Sequence, residues 1–199
     1  SLVSAVVHDA DTIEDAFRIA VSLCKGKTVS LGNEKKVIAA PALDSSIYSS
    51  LEKYSSLETI CQENGISLIK NNLRKYTSGI DMGITFADYG IAETGTIVVS
   101  SDSEDKRLST MISEIHAALL YKSDIRPNAL DMADELSALT SRPSSYTAFI
   151  TGPSRTADIE RVLAIGVHGP LELHIILLED TAHNFPEIAQ KSHQIAEEQ

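Results

Sequence analysis

A cation stands where the local pattern favours anions: Arg155, in the run Ile150-Thr-Gly-Pro-Ser-Arg-Thr-Ala-Asp-Ile-Glu160. The run leads from an apolar strand through a tight turn, and its polar residues predict the start of a helix over Thr156 to Ile165, closed by Gly166. Gly152 lets the backbone turn, Pro153 fixes one dihedral, and Ser154 or Thr156 can cap. A helix start presents unpaired N–H groups and the positive end of a dipole, which suits Asp158 and Glu160 but opposes Arg155. A bound carboxylate or phosphate would compensate that arginine; so would an ion pair with a nearby acid.

Two further segments carry reactive types. In Gly166-Val-His-Gly-Pro170 two glycines and a proline hold His168 in a defined loop, with Gly169 beside it. His168 could act as a base, donate to an anion, or simply be satisfied by backbone. Earlier in the chain, Asp88 and Glu93 flank Tyr-Gly-Ile-Ala, and Thr94, Gly95 and Thr96 follow. Two carboxylates held close can divide acid and base roles, and a glutamate at a turn can be a nucleophile towards an activated acyl group. The plain alternative is that both acids satisfy backbone donors around the turn. His116 and His174 lie in or beside apolar runs and read as structural, and the histidine spacings match no zinc motif, so no metal is expected. No dinucleotide glycine fingerprint, phosphate-loop lysine, nucleophile elbow or Cys-x-x-Cys pair is present, so no cofactor is expected either.

These segments need a scaffold, and the apolar pattern supplies one. Helices are predicted over Asp11 to Cys24, Asp44 to Tyr54, Ser56 to Asn64 and from Pro127 through Leu139; strands over Lys36 to Ala40, Ile66 to Ile69, Thr96 to Val99, Glu114 to Tyr121, Tyr146 to Ile150 and Leu171 to Leu178. Ile84 to Tyr89 reads as strand or loop, and the polar tail from Thr181 as helical or frayed. This alternation implies an α/β fold: a mostly parallel sheet with helices on both faces, in one domain over 1–199. Ligands of such sheets sit beyond the carboxyl ends of the strands.

With 199 residues, 43% hydrophobic and 23% charged, the composition is that of a globular domain with a real core. A net charge of -11 argues against nucleic-acid binding, which wants a basic face, but leaves room for a small anion at one arginine. Two isolated cysteines, Cys24 and Cys61, fit a reduced, cytoplasmic protein. No apolar run reaches membrane-spanning length, and no leader-like segment opens the sequence.

The combination of Ala87-Asp88, Ile91-Ala-Glu-Thr-Gly-Thr96, His116, Thr151-Gly-Pro-Ser-Arg-Thr-Ala-Asp-Ile-Glu160 and Gly166-Val-His-Gly-Pro-x-Glu-Leu-His174 resembles the LUD domain family, most strongly over residues 80–178. The resemblance implies a three-layer α/β/α domain similar to the ribose-5-phosphate isomerase and CoA-transferase fold. It implies a role in oxidative use of L-lactate beside two partner subunits, at least one carrying iron–sulfur clusters, which this cysteine-poor chain would not carry itself. The family's longer N-terminal extension is expected to be short or absent here. By position, the family motif picks out Asp88, Glu93, Thr94, Gly95, Thr96, Ser154, Arg155, Thr156, Asp158, His168 and Gly169. Chemistry then suggests that Arg155, Ser154 and backbone donors around Gly152 hold an anion, lactate or a phosphate- or acyl-CoA-like group. Glu93 and Asp88 would orient a hydroxyl or move a proton, and His168 would complete the wall. Two alternatives remain open: an independent acyl-CoA or sugar-phosphate enzyme using Glu93, or a regulatory or scaffolding module.

Overall fold

The computed structural model describes residues 4–27, 35–41, 51–76, 79–101, 103–140, 146–156, 164–165 and 169–180, with backbone alone at 51–54, 140, 155–156 and 164–165. At its centre is a parallel sheet of six strands: β1 (Val6–Ala10), β2 (Val37–Ala39), β3 (Ser67–Ile69), β4 (Ile80–Phe86), β7 (Ser113–Tyr121) and β12 (Glu172–Leu178). Their order is β1-β12-β7-β4-β2-β3. All residues of β4 are buried, and all but one of β7, as expected of strands covered on both faces.

One face carries α1 (Ile13–Lys25) and α2 (Leu51–Glu63). Thr12 caps α1 by accepting the Asp15 N–H, with Glu14 and Asp15 in the first turn and Lys25 in the last, all favourable to the dipole. The stripe Ile13, Ala16, Phe17, Ala20, Val21 and Cys24 packs with Leu57, Ile60 and Cys61 of α2 onto Met82, Ile84 and Phe86 of β4 and Ile115, Ala117 and Leu119 of β7. The two helical segments expected over Asp44 to Tyr54 and Ser56 to Asn64 are continuous from Leu51 to Glu63, and residues 42–50 lie outside the described residues.

The opposite face is shared. Over part of it lies α3 (Glu104–Met111), so close that a Cβ on Gly83 would overlap the Ser109 carbonyl oxygen. Over another part lies a second sheet of four strands, order β8-β5-β6-β9, made from β5 (Tyr89–Ile91), β6 (Thr96–Ser101), β8 (Ile125–Arg126) and β9 (Tyr146–Ile150). Ile97 and Val99 of β6 meet Ala118 and Leu120 of β7 and Leu173 and Ile175 of β12. Val98 and Ile91 point the other way, onto Met132 and Leu139. Leu139 belongs to α4 (Ala133–Thr140), which follows a single 3-10 turn over Leu130–Met132. The expected mostly parallel sheet flanked by helices is there; the added feature is that a small sheet shares the third layer with α3.

The helix predicted over Thr156 to Ile165 is corrected. Arg155–Thr156 form β10 and Ala164–Ile165 form β11, paired antiparallel, Arg155 with Ile165 and Thr156 with Ala164. Backbone committed to a cross-strand ladder cannot also make the i to i−4 bonds of a helix. Residues 157–163 lie outside the described residues. The anion-attracting helix start read from this run is therefore absent at Arg155 and Thr156.

Candidate functional site

Glu93 stands in the turn between β5 and β6, where Gly95 takes φ of 64°. The turn is clamped from below: Ala92 N–H donates to the Arg126 carbonyl at 2.9 Å and Glu93 N–H to the Pro127 carbonyl at 3.0 Å. The Glu93 side chain is exposed. Asp88 lies at the other end of the same hairpin. Its carboxylate accepts the Ser100 N–H at 2.7 Å while its own N–H donates to Val98 at 2.8 Å, so it fastens the start of β5 to β6. Three residues of β5 and Ala92 separate the two acids, and the strand alone spans roughly 10 Å at ~3.3 Å per residue. That is too far for the close carboxylate pair raised as one possibility from the sequence.

The geometry does join Glu93's turn to the Gly152 turn. Ile97 of β6 pairs with Ile150 of β9, so Thr96 and Thr151 face each other one step further on. Their hydroxyls are 2.7 Å apart, and Thr94 Oγ1 is 2.7 Å from Thr96 Oγ1. Thr96 is buried, whereas Thr94 and Thr151 are exposed. Three hydroxyls carry three protons and share two hydrogen bonds, so one proton is left over; when Thr96 donates along the chain, that proton lies at an exposed end and can meet an outside acceptor.

Beyond Thr151 the chain turns at Gly152, buried and at φ of 80°, a region open to glycine. Ser154 N–H then donates to the Pro170 carbonyl at 2.8 Å. Gly169, at φ of 114°, lies against Ser154: a Cβ there would come within 3.0 Å of Ser154 Cβ and 3.2 Å of its Oγ. Thus Glu93, Thr94, Gly95, Thr96, Gly152, Ser154 and Gly169 fall along one connected run of turns and strand ends. Arg155 and Thr156 adjoin it by backbone. Their side chains, Asp158 and His168 lie outside the described residues.

The corner is not where the carboxyl-end rule would put it. Pro170 precedes β12, and Leu171 N–H donates to Glu114 at the start of β7, at 2.8 Å. Ser154 and Gly169 therefore sit by the amino ends of those strands.

The other titratable groups serve different places. His116 is fully buried in β7; its Nε2 lies 2.8 Å from Thr85 Oγ1, its Nδ1 has no partner among the described residues, and burial pushes its pKa down to about 4. Cys24 and Cys61 are buried thiols pushed up to about 12 and about 11, in each case mainly by burial. Among the described residues no group of three or more His, Cys, Asp or Glu is placed to hold a metal ion, and no helix is long and apolar enough to cross a membrane. His8, stacked on His174, was missed in the sequence because one histidine on an edge strand gives no periodic signal.

A family model described as LUD domain matches residues 2–178. The chain is 41% identical over 103 residues to "Lactate utilization protein C" of Halalkalibacterium halodurans, covering 50% of this chain and 45% of that protein. It is 35% identical over 103 residues, with the same coverage, to a protein of that name from Macrococcus caseolyticus. The chain spans about half the length of the curated relatives it matches. Among solved structures it is similar to a DUF162 family protein from Deinococcus radiodurans, with TM-score 0.54 at 19% identity over 87% of this chain and 88% of that one.

Proposed function

This chain belongs to the LUD domain family, and we propose that it acts as a non-redox subunit in L-lactate utilization, holding a small anion where the Glu93 turn meets the Gly152–Ser154 turn. The Thr96–Thr151 hydrogen bond carries this reading, because it brings segments 55 residues apart into one hydroxyl-lined corner with exposed ends. The names of the relatives in Halalkalibacterium halodurans and Macrococcus caseolyticus support the pathway. In this account Thr94 or Thr151 donates to the anion, Arg155 supplies the opposite charge from the adjoining strand, and Ser154, Gly169 and the segment holding Thr156, Asp158 and His168 form the wall. Asp88 acts at a distance by fixing the hairpin, and Glu93 is the group free to orient a hydroxyl or move a proton. With two cysteines in all, the chain lacks the four thiolates of a typical iron–sulfur centre, so electron transfer falls to iron–sulfur partner subunits.

The exposure of Glu93 favours a second reading, an independent acyl-CoA or sugar-phosphate enzyme with that carboxylate as nucleophile or base. Assay of the purified chain separates the two. The first reading expects no lactate oxidation by the chain alone and co-purification with iron–sulfur subunits from cells that express them together. Lactate turnover by the isolated chain would overturn it.

A further inference from the structure

Two histidines fasten the edge strand of the central sheet. His8 of β1 and His174 of β12 stack with ring centroids 5.2 Å apart, and His8 Nε2 lies 3.0 Å from His174 Nδ1. His174 Nε2 lies 3.1 Å from Glu172 Oε2, and Glu172 pairs in turn with Lys27, just beyond α1. Among the described residues β1 has one neighbour, β12, and Val6 and Val7 are 46% and 52% exposed, so little apolar burial holds the strand.

The ends of this chain dictate its protons. The hydrogen bond from Lys27, then that from His174, hold the Glu172 carboxyl below its ordinary pKa, so it is ionised and can only accept. His174 Nε2 therefore carries a hydrogen. In the neutral ring Nδ1 is then a lone pair, and His8 must donate its Nε2–H to it. One extra proton is accommodated: an imidazolium at His174 donates from both nitrogens, to Glu172 and to a His8 whose hydrogen has moved to its outer nitrogen. A second is not. Both facing nitrogens would then bear hydrogen, and two cations would stand 3.0 Å apart.

Among the described residues no other charged group compensates. The buried face of α1 is apolar, and Ala117 of β7 stands beside His174. Asp9 of β1 pairs with Lys122 at 3.0 Å, Lys36 binds the Lys27 carbonyl, and Glu114 lies at the amino end of β7. Glu172 is the carboxylate that touches the histidine pair.

We propose that the His8–His174 pair is a proton-operated latch, which keeps β1 on the sheet while the pair holds at most one extra proton and frees it, uncovering the outer edge of β12, when it holds two. This latch is independent of the anion site. Burial, and after it the charge of His174, hold His8 below its ordinary value of 6.5, which sets release on the acid side of that pH. The sign is that of a depressed group: the unfastened strand binds more protons, so the latch is complete above 6.5 and weakens as pH falls towards the folded value.

Amide hydrogen exchange on the whole chain tests it. After correction for intrinsic rates, protection of the β1 amides should fall about tenfold more than that of the β7 amides between about pH 7.5 and about pH 5. His8→Gln keeps a side-chain donor but cannot be protonated, and should abolish the difference. A fall shared equally by β1 and β7, or one unchanged in His8→Gln, would overturn the proposal. Ring-nitrogen NMR of the unaltered protein gives a second readout: His8 should titrate on the acid side of 6.5. A His8 that titrates at or above 6.5 would also overturn it.

Discussion

The hydroxyls of Thr96 and Thr151 share a 2.7 Å hydrogen bond across 55 residues of sequence, with Thr96 buried and Thr151 exposed. That contact joins the turn bearing Glu93 to the turn bearing Gly152. Thr96→Val keeps shape but removes the central hydroxyl of the chain, leaving Thr94 and Thr151 to water. The expected loss is about 1 kcal/mol, with a Thr96/Thr151 coupling of about 0.5–1.5 kcal/mol in a double-mutant cycle read by urea unfolding. Additive single losses would mean that the contact contributes nothing.

Gly83 bears on the scaffold. A Cβ at this position meets the Ser109 carbonyl oxygen, which is helix backbone and cannot rotate away. Gly83→Ala should therefore cost about 3 kcal/mol or more, by pushing α3 off the sheet. Chemical denaturation gives the number, and near-UV circular dichroism should show loosened packing. A cost under about 1 kcal/mol would mean that α3 is not seated as described.

His116 makes stability depend on pH. Burial holds its folded-state pKa near 4, against 6.5 when free, so the unfolded chain binds the extra proton first. Its contribution is complete above pH 6.5 and lost as pH falls towards 4, on the order of 3 kcal/mol in all. Urea midpoints measured across that range should drop with acid, and His116→Gln should remove this part of the slope. An unchanged slope in the variant would assign the acid sensitivity to other groups.

How far these features were legible in the sequence depended on what each residue contacts. The strand before Thr151, the turn at Gly152 and four of the six parallel strands, β2, β3, β7 and β12, were readable because their apolar runs and punctuation are local; β1 was not read. Arg155 and Thr156 read as the start of a helix, since a cap-type serine followed by acids is what a helix start looks like; their pairing with Ile165 and Ala164 is a non-local fact. Strand β4 was recognised only from Ile84, because Asp81 and Gly83 interrupt the apolar pattern. Each has a tertiary reason: Asp81 accepts the Val37 N–H at 2.7 Å, and Gly83 makes room for Ser109 backbone. Helix α3 was overlooked because Ser109 is its one buried residue. Of the candidate site, the approach of Glu93's turn to Gly152 followed from neither segment alone; it required the pairing of β6 with β9.

Titration of L-lactate into the purified chain, with Arg155→Ala in parallel, tests the anion corner most directly. Binding to the unaltered protein should be saturable and visible as a thermal shift, and at least about tenfold weaker in the variant, the loss of a charge-assisted contact of about 1.5 kcal/mol or more. Equal affinity in the two proteins, or no binding by either, would contradict it.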